Sequence, residues 1–367
     1  MARPWSYLTV VKGRQAEYGA LFELDQETAD AVTAIIQLWP GEASGQGETA
    51  QMWPDNGGDQ VARDLVSQLL DRVKDIWPTD RPVLLDGDWL VTAEAFEQVL
   101  QAARGAGRLP VPVTGLGRPA DYQVVVARAV ETDGQGCVLR LVRDDFGEGF
   151  ADRLETVVRQ LGLIPDQIDI VLDLRELDRR YLERDEIFAA NMVLSLPHLA
   201  DWRNLALVGS SAPASARDFP QNDMQSYPRL EWWLWQILEK RKTTLGRLPI
   251  YGDYAVIHPD RVEESDNPRA LPRIPQYRYT GEQECLLVRG LNLNKHETDP
   301  DHVRPLLGKL IGDENWWSGD NYSWAERWLV GVARDGASVG NAMIWKRVGL
   351  VHHWTFVIQQ LASRSAP

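Results

Sequence analysis

"PVLLDGDWLVTAEAFEQVLQAARGAGRLPVPVTG", residues 82–115, holds the alternation that decides the fold. It opens on a short apolar run, "PVLLDG" (82–87). "TAEAFEQVLQAARGAG" (92–107) follows, with a threonine suited to capping a helix at one end and glycines at the other. "LPVPVTG" (109–115) is apolar again. Strand, helix and strand in that order predict a parallel pair joined by a right-handed crossover.

Outward from this stretch the pattern repeats. "SYLTVV" (6–11), "TAIIQLW" (33–39), "CVLRLVR" (137–143), "IDIVLDL" (168–174), "NLALVGS" (204–210) and "PIYGDYAVI" (249–257) bring the strand candidates to eight. Helix-period segments at 59–77, 150–163, 183–199 and 229–241 fall between them. No G-x-G-x-x-G follows the first strand, and "TGLGRP" (114–119) lacks the third glycine of a dinucleotide fingerprint. Eight such strands therefore predict an α/β chain with a closed (β/α)8, TIM-barrel-like domain over 1–258. The stretch 40–59 is a polar, glycine-rich loop, long enough for a lid or simply a disordered segment.

After residue 258 the character changes. "DRVEESDNPRALPRIPQ" (260–276) is charged and proline-rich. "YRYTG" (277–281), "ECLLVRGL" (284–291) and helices near 302–312, 322–334 and 351–362 follow. Residues 259–367 form a C-terminal α+β extension packed on the barrel.

Composition narrows the function classes. The 367 residues carry a net charge of −14, which opposes unaided binding to nucleic acid. The two cysteines, Cys137 and Cys285, sit in apolar runs and read as buried thiols of a cytoplasmic protein rather than a disulfide. The N-terminus does not read as a signal peptide, and no apolar stretch approaches the ~20 residues of a membrane span. Trp232 and Trp235 share a helical face with Leu238, and burial is the default for such a stripe.

In a closed barrel the C-terminal strand ends form the ligand-binding face. Here they offer Lys12, Gln37, Asp86 with Asp88, Thr114, Arg140 or Arg143, Asp173 with Arg175, Ser210 with Ser211, and Asp253 with Tyr254. Asp86 and Asp173 interrupt apolar runs, where an unpaired carboxylate costs several kcal/mol. Two readings stand level: a ring of ion pairs with Lys12, Arg140, Arg143 or Arg175, and a ligand site. Asp86, Asp173 and Asp253 are also candidate oxygen ligands for Mg2+ or Mn2+. His352 and His353 are adjacent, so on a helix at most one is expected to face any shared site.

Several of these stretches occur together in a known family. "YLTVVKGRQAEYGALFEL" (7–24), "YPRLEWWLWQIL" (227–238), "PIYGDYAVIHP" (249–259), "YRYTG", "VRG", "WSGDNYSWAE" and "IWKRVGLVHHWTFVIQQL" resemble, in that order, the beta protein family. The family is named for a bacteriophage T4 product and is widespread in bacteria and their mobile elements. One departure is Thr9, where the family pattern has proline. The resemblance marks Lys12, Glu17, Arg229, Glu231, Gly252, Asp253, Tyr254, Arg278, Tyr279, Arg289, Gly290, Gly319, Asp320, His352 and His353 as motif positions. It implies a phage–host conflict setting, antiphage defence or prophage, and supplies no chemistry.

The leading expectation is a protein that binds an anionic small molecule or a partner encoded nearby at the barrel mouth. Lys12, Arg278 and Arg289 would supply charge, with Glu17 and Tyr254 beside them. Asp253, Asp173 and Asp86 would orient polar groups or a cation, and Asp253 would face the pocket. On that reading Asp253→Asn removes function and spares thermal stability. The alternatives are a Mg2+- or Mn2+-dependent phosphoester hydrolase using His352 or His353 as acid/base, and a non-enzymatic scaffold or antitoxin-like subunit.

Overall fold

The computed structural model describes residues 4–38, 80–90, 92–260, 273–295 and 299–365. The loop and helix expected over 40–77, and most of the linker after 260, lie outside these residues.

The chain runs β1 (Tyr7–Lys12), α1 (Gln15–Phe22), α2 (Gln26–Ala31), β2 (Val32–Gln37), β3 (Pro82–Asp86), α3 (Ala93–Gly105) and β4 (Leu109–Thr114). It continues with α4 (Ala120–Asp133), β5 (Cys137–Val142), α5 (Phe150–Gln160), β6 (Ile168–Glu176), α6 (Leu182–Leu194) and β7 (Asn204–Ser210). After β8 (Asp223–Pro228) come α7 (Leu230–Lys240), α8 (Lys242–Leu245) and β9 (Ile250–Asp253). The last part holds β10 (Gln276–Thr280), β11 (Glu284–Arg289), α9 (Arg304–Ile311), α10 (Trp324–Arg334) and α11 (Ala342–Ser365).

Two compact units emerge. The first comprises residues up to Arg14, Val32–Ser210 and Leu230–Tyr254. Its strands β1 to β7 and β9 close into a barrel, and β1 and β9 join in parallel through Leu8–Gly252 and Thr9–Asp253. All eight expected strands are present, and the fold is a (β/α)8 TIM barrel. The eighth strand is shorter than expected, ending at Asp253, because Ala255 takes a left-handed backbone (φ 50°).

Each helix of this unit has a sequence reason. Thr92 caps α3, its hydroxyl accepting from the Ala95 amide at 3.1 Å. Phe96, Val99, Leu100 and Ala103 then fall on the buried face of α3. Burial of each larger side chain contributes about 1.5–3 kcal/mol.

The barrel interior follows from strand alternation. Leu8, Val10, Ile35, Leu84, Val111, Val113, Val138, Val171, Ala206 and Val208 form one buried cluster with Tyr254. Two residues further along the same strands stand Lys12, Gln37, Asp86, Arg140, Asp173 and Ser210. They share the inward parity and end the strands on the carboxyl side.

The second unit comprises Gln15–Ala31, Ser211–Arg229 and Ala255–Pro367. The extension placed at 259–367 is thus joined by two inserts, one after β1 and one after β7. Its sheet has the order β10-β11-β8, antiparallel throughout. Sequence reading missed β8, whose "DMQSYP" is mostly exposed and lacks alternating apolar residues. No helix among the described residues is long and apolar enough to cross a membrane.

Candidate functional site

Arg140 sits at the centre of the barrel's carboxyl end. It is the inward residue of β5, and its guanidinium spans to β3 and β6. Nη1 donates to Asp86 Oδ2 at 2.7 Å and Nε to Asp173 Oδ2 at 2.8 Å, and the Tyr254 hydroxyl accepts from Nη2. Tyr254 donates to Asp173 Oδ2 at 2.6 Å. The other carboxylate oxygens are also engaged. Asp86 Oδ1 accepts from Arg118 at 2.9 Å and from the Asp88 amide at 3.0 Å, while Asp173 Oδ1 accepts from the Arg175 amide at 2.8 Å.

Arg140, Asp86, Asp173 and Tyr254 are all buried. Burial pushes the Arg140 pKa down, but Tyr254, Asp173 and Asp86 reverse this and hold the guanidinium above the ordinary arginine value. Burial, partly offset by Arg140, holds the Tyr254 phenol above the ordinary tyrosine range. Arg140 and Arg118 thus neutralise Asp86 and Asp173, and Arg118 also pairs with the half-exposed Asp88. Every carboxylate oxygen of Asp86 and Asp173 accepts from a cationic or amide donor. Of the two level readings, the ion-pair ring describes Asp86 and Asp173.

Asp253 is turned the other way. It follows Gly252, whose position inside the barrel is so close that a Cβ would meet Val208 at 2.5 Å. The Asp253 carboxylate instead accepts from the Tyr7 hydroxyl. Tyr7 stacks on Tyr251 at 5.9 Å, and Tyr251 meets Trp232 and Trp235 of α7 at 5.0 and 5.8 Å. Burial first, then the Asp253 charge, raises the Tyr7 pKa. The expectation that Asp253 faces the pocket is corrected: alternation sends Tyr254 inward and Asp253 outward, against the aromatic face of α7. The stripe of Trp232, Trp235 and Leu238 is buried as expected.

Beside the ion-pair cluster, β1, β2 and β3 end side by side, with Lys12 opposite Gln37 and Gln37 opposite Asp86. Lys12 is buried, its ammonium 5.6 Å from the ring centre of Trp89 in the turn after β3. Gln37 is 1% exposed, yet neither its amide oxygen nor its amide nitrogen has a hydrogen-bond partner among the described residues. Gln37 was legible as a polar strand end. Trp89 and Arg118 were not singled out; Trp89 lies in "DGDW", a turn signal with an aromatic placed at a barrel rim.

The other candidates lie in the second unit. Glu17 is buried with Lys346 3.5 Å from one oxygen and, among the described residues, no partner on the other. Arg278 is half-buried on β10, and Arg289 is buried and donates to the Phe219 carbonyl. His352 Nδ1 lies 2.6 Å from Glu326 Oε1 and Nε2 lies 2.8 Å from the Thr280 carbonyl. Burial raises the Glu326 pKa, but His352, Ser323 and Tyr279 outweigh it and hold it below the ordinary value. A carbonyl only accepts, so Nε2 of His352 is the donor in its contact with Thr280.

His353 Nδ1 lies 2.8 Å from the Thr280 hydroxyl. Both histidines therefore meet one residue, against the expectation for neighbours on a helix. Thr280 offers its carbonyl to one and its hydroxyl to the other. Both imidazoles are fully buried. Sequence reading missed Glu326, although "SWAE" (323–326) carries the serine and glutamate spacing of a capping box.

A groove of about 530 Å3 between α5 and α6, lined by Phe146, Phe150, Phe188 and Met192 among others, contains none of these residues.

A family model described as Beta protein matches residues 7–359. A search of curated proteins found no match. Among solved structures, a dihydrodipicolinate synthase family protein from Coccidioides immitis is similar at 10% identity and TM-score 0.27. That match spans 58% of this chain and 63% of the other, and carries no functional argument. With the matched model covering nearly every element from β1 to α11, the chain belongs to the Beta protein family.

Proposed function

We propose that the protein binds a small anionic molecule at the carboxyl end of its barrel, in the setting of phage–host conflict. One observation carries the reading: the buried Gln37 amide has no partner on either atom among the described residues, next to the inward cation Lys12. An amide buried without hydrogen bonds costs roughly 1–3 kcal/mol on mutational scales. A ligand that supplies both bonds recovers that cost.

The metal-dependent hydrolase reading has less support. Asp86 and Asp173 are committed to Arg140 and Arg118, and Asp253 faces out of the barrel. The phage–host setting rests on the family resemblance alone.

Gln37→Leu tests the reading, because a site built for binding trades stability for recognition. The variant is expected to melt several degrees higher and to lose the small molecule that native mass spectrometry finds on protein purified from its own host. Wild type that arrives bare, or bound only to another protein, overturns the proposal and favours the scaffold alternative.

A further inference from the structure

The mouth of the barrel constrains the ligand further, on the reading that it binds one there. Three features are set by adjacent strands. Gln37 ends β2 and presents one donor and one acceptor in a single plane, both without partners among the described residues. On one side Lys12 ends β1; on the other, β3 ends at Asp86 and turns through Gly87 and Asp88 to Trp89. Trp89 reaches back so that its ring centre lies 5.6 Å from the Lys12 ammonium, across the strand that carries Gln37. An amide edge, an indole face and a cation are therefore gathered around one strand end.

A glutamine amide pairs in bidentate fashion with a planar edge that offers a donor beside an acceptor, as adenine does with N6 and N7. An indole face suits stacking by the same planar ring. A lysine ammonium suits a phosphate as a point charge. We propose that the ligand is a nucleotide-like molecule: its base edge pairs with Gln37, its ring lies against Trp89, and its phosphate meets Lys12. Asp86 offers no rival anion contact, since Arg140 and Arg118 hold its oxygens.

This differs from nucleic-acid binding. A net charge of −14 opposes a polyphosphate strand, whereas a single phosphate needs only one local cation.

Calorimetric titration of the full chain with adenosine, guanosine, cytidine and uridine 5′-monophosphates, against ribose 5-phosphate and inorganic phosphate, tests it. At least one nucleotide is expected to bind tenfold or more tightly than ribose 5-phosphate. Gln37→Leu should erase that ratio while leaving ribose 5-phosphate affinity unchanged, and Lys12→Ala should weaken both alike. Equal binding of nucleotide and ribose 5-phosphate overturns the base-edge inference and leaves the anion reading standing. If no phosphate compound binds to wild type, the nucleotide inference falls. Retention of a different small molecule in the native mass spectrum would then keep the broader reading alone.

Discussion

Asp253 and Tyr254 show how much rests on a single step along a strand. "YGDY" announces an acid inside an apolar run, and that acid reads as the natural pocket group. Alternation decides otherwise, because moving one residue along a strand exchanges its two faces. The barrel interior takes Gly252 and Tyr254, and Asp253 meets Tyr7 on the outer side. The expectation for Asp253→Asn is accordingly reversed. The variant should lose about 1–2 kcal/mol of stability, as a charge-assisted bond from Tyr7 becomes a neutral one, while ligand affinity stays unchanged. Urea denaturation and titration of the same preparation check both halves. Asp86 and Asp173 were legible as acids needing a partner, either a cationic side chain or a bound ligand or metal, because their surroundings are apolar. Which cation was not legible: Arg118, which lies outside any strand, bonds Asp86 beside Arg140.

Helix α10 is tied down by charge as well as by packing. Ser323 caps it and donates to Glu326, and Glu326 holds the imidazole of His352 on α11. Because the Glu326 pKa is depressed in the folded chain, its contribution is complete above the ordinary value of 4.5 and disappears as pH falls below it. Glu326→Gln should therefore be less stable than wild type at pH 7, and the gap should narrow as the pH is lowered from 4.5 towards 3. A gap that stays constant across that range would sink the assignment. These helices were partly legible: α11 runs from Ala342 rather than from about 351, its first turns being half-polar. β8 was invisible because its partner β11, not its own pattern, makes it a strand.

The barrel was readable because parallel strands buried on both faces must be short and apolar, and their crossovers must be helical. Its closure, β9 against β1, follows from the count of strands rather than from any one motif. The second unit was not readable as a unit, since a sequence is read in order and this unit is not built in order. It takes α1 and α2 from the region after β1, β8 from the region after β7, and the remainder from the C-terminal part. Residues 255–367 expressed alone should not fold to a monomer: β11 would lose β8 and α11 would lose α1. Circular dichroism and size-exclusion chromatography of that fragment would show coil or aggregate; a well-folded monomer would contradict the division.

The same feature sets a timetable for biosynthesis. Glu17 leaves the ribosome 329 residues before Lys346, the cation it meets in the finished unit. At roughly 5–20 residues per second that is a wait of about 15–65 s. Throughout it, the residues of α1 that end up buried, Tyr18 and Leu21 among them, have no α11 to pack against. The nascent chain must stay soluble with one of its earliest helices unclaimed, so the final helix acts as the clasp that ends its exposure to chaperones and proteases.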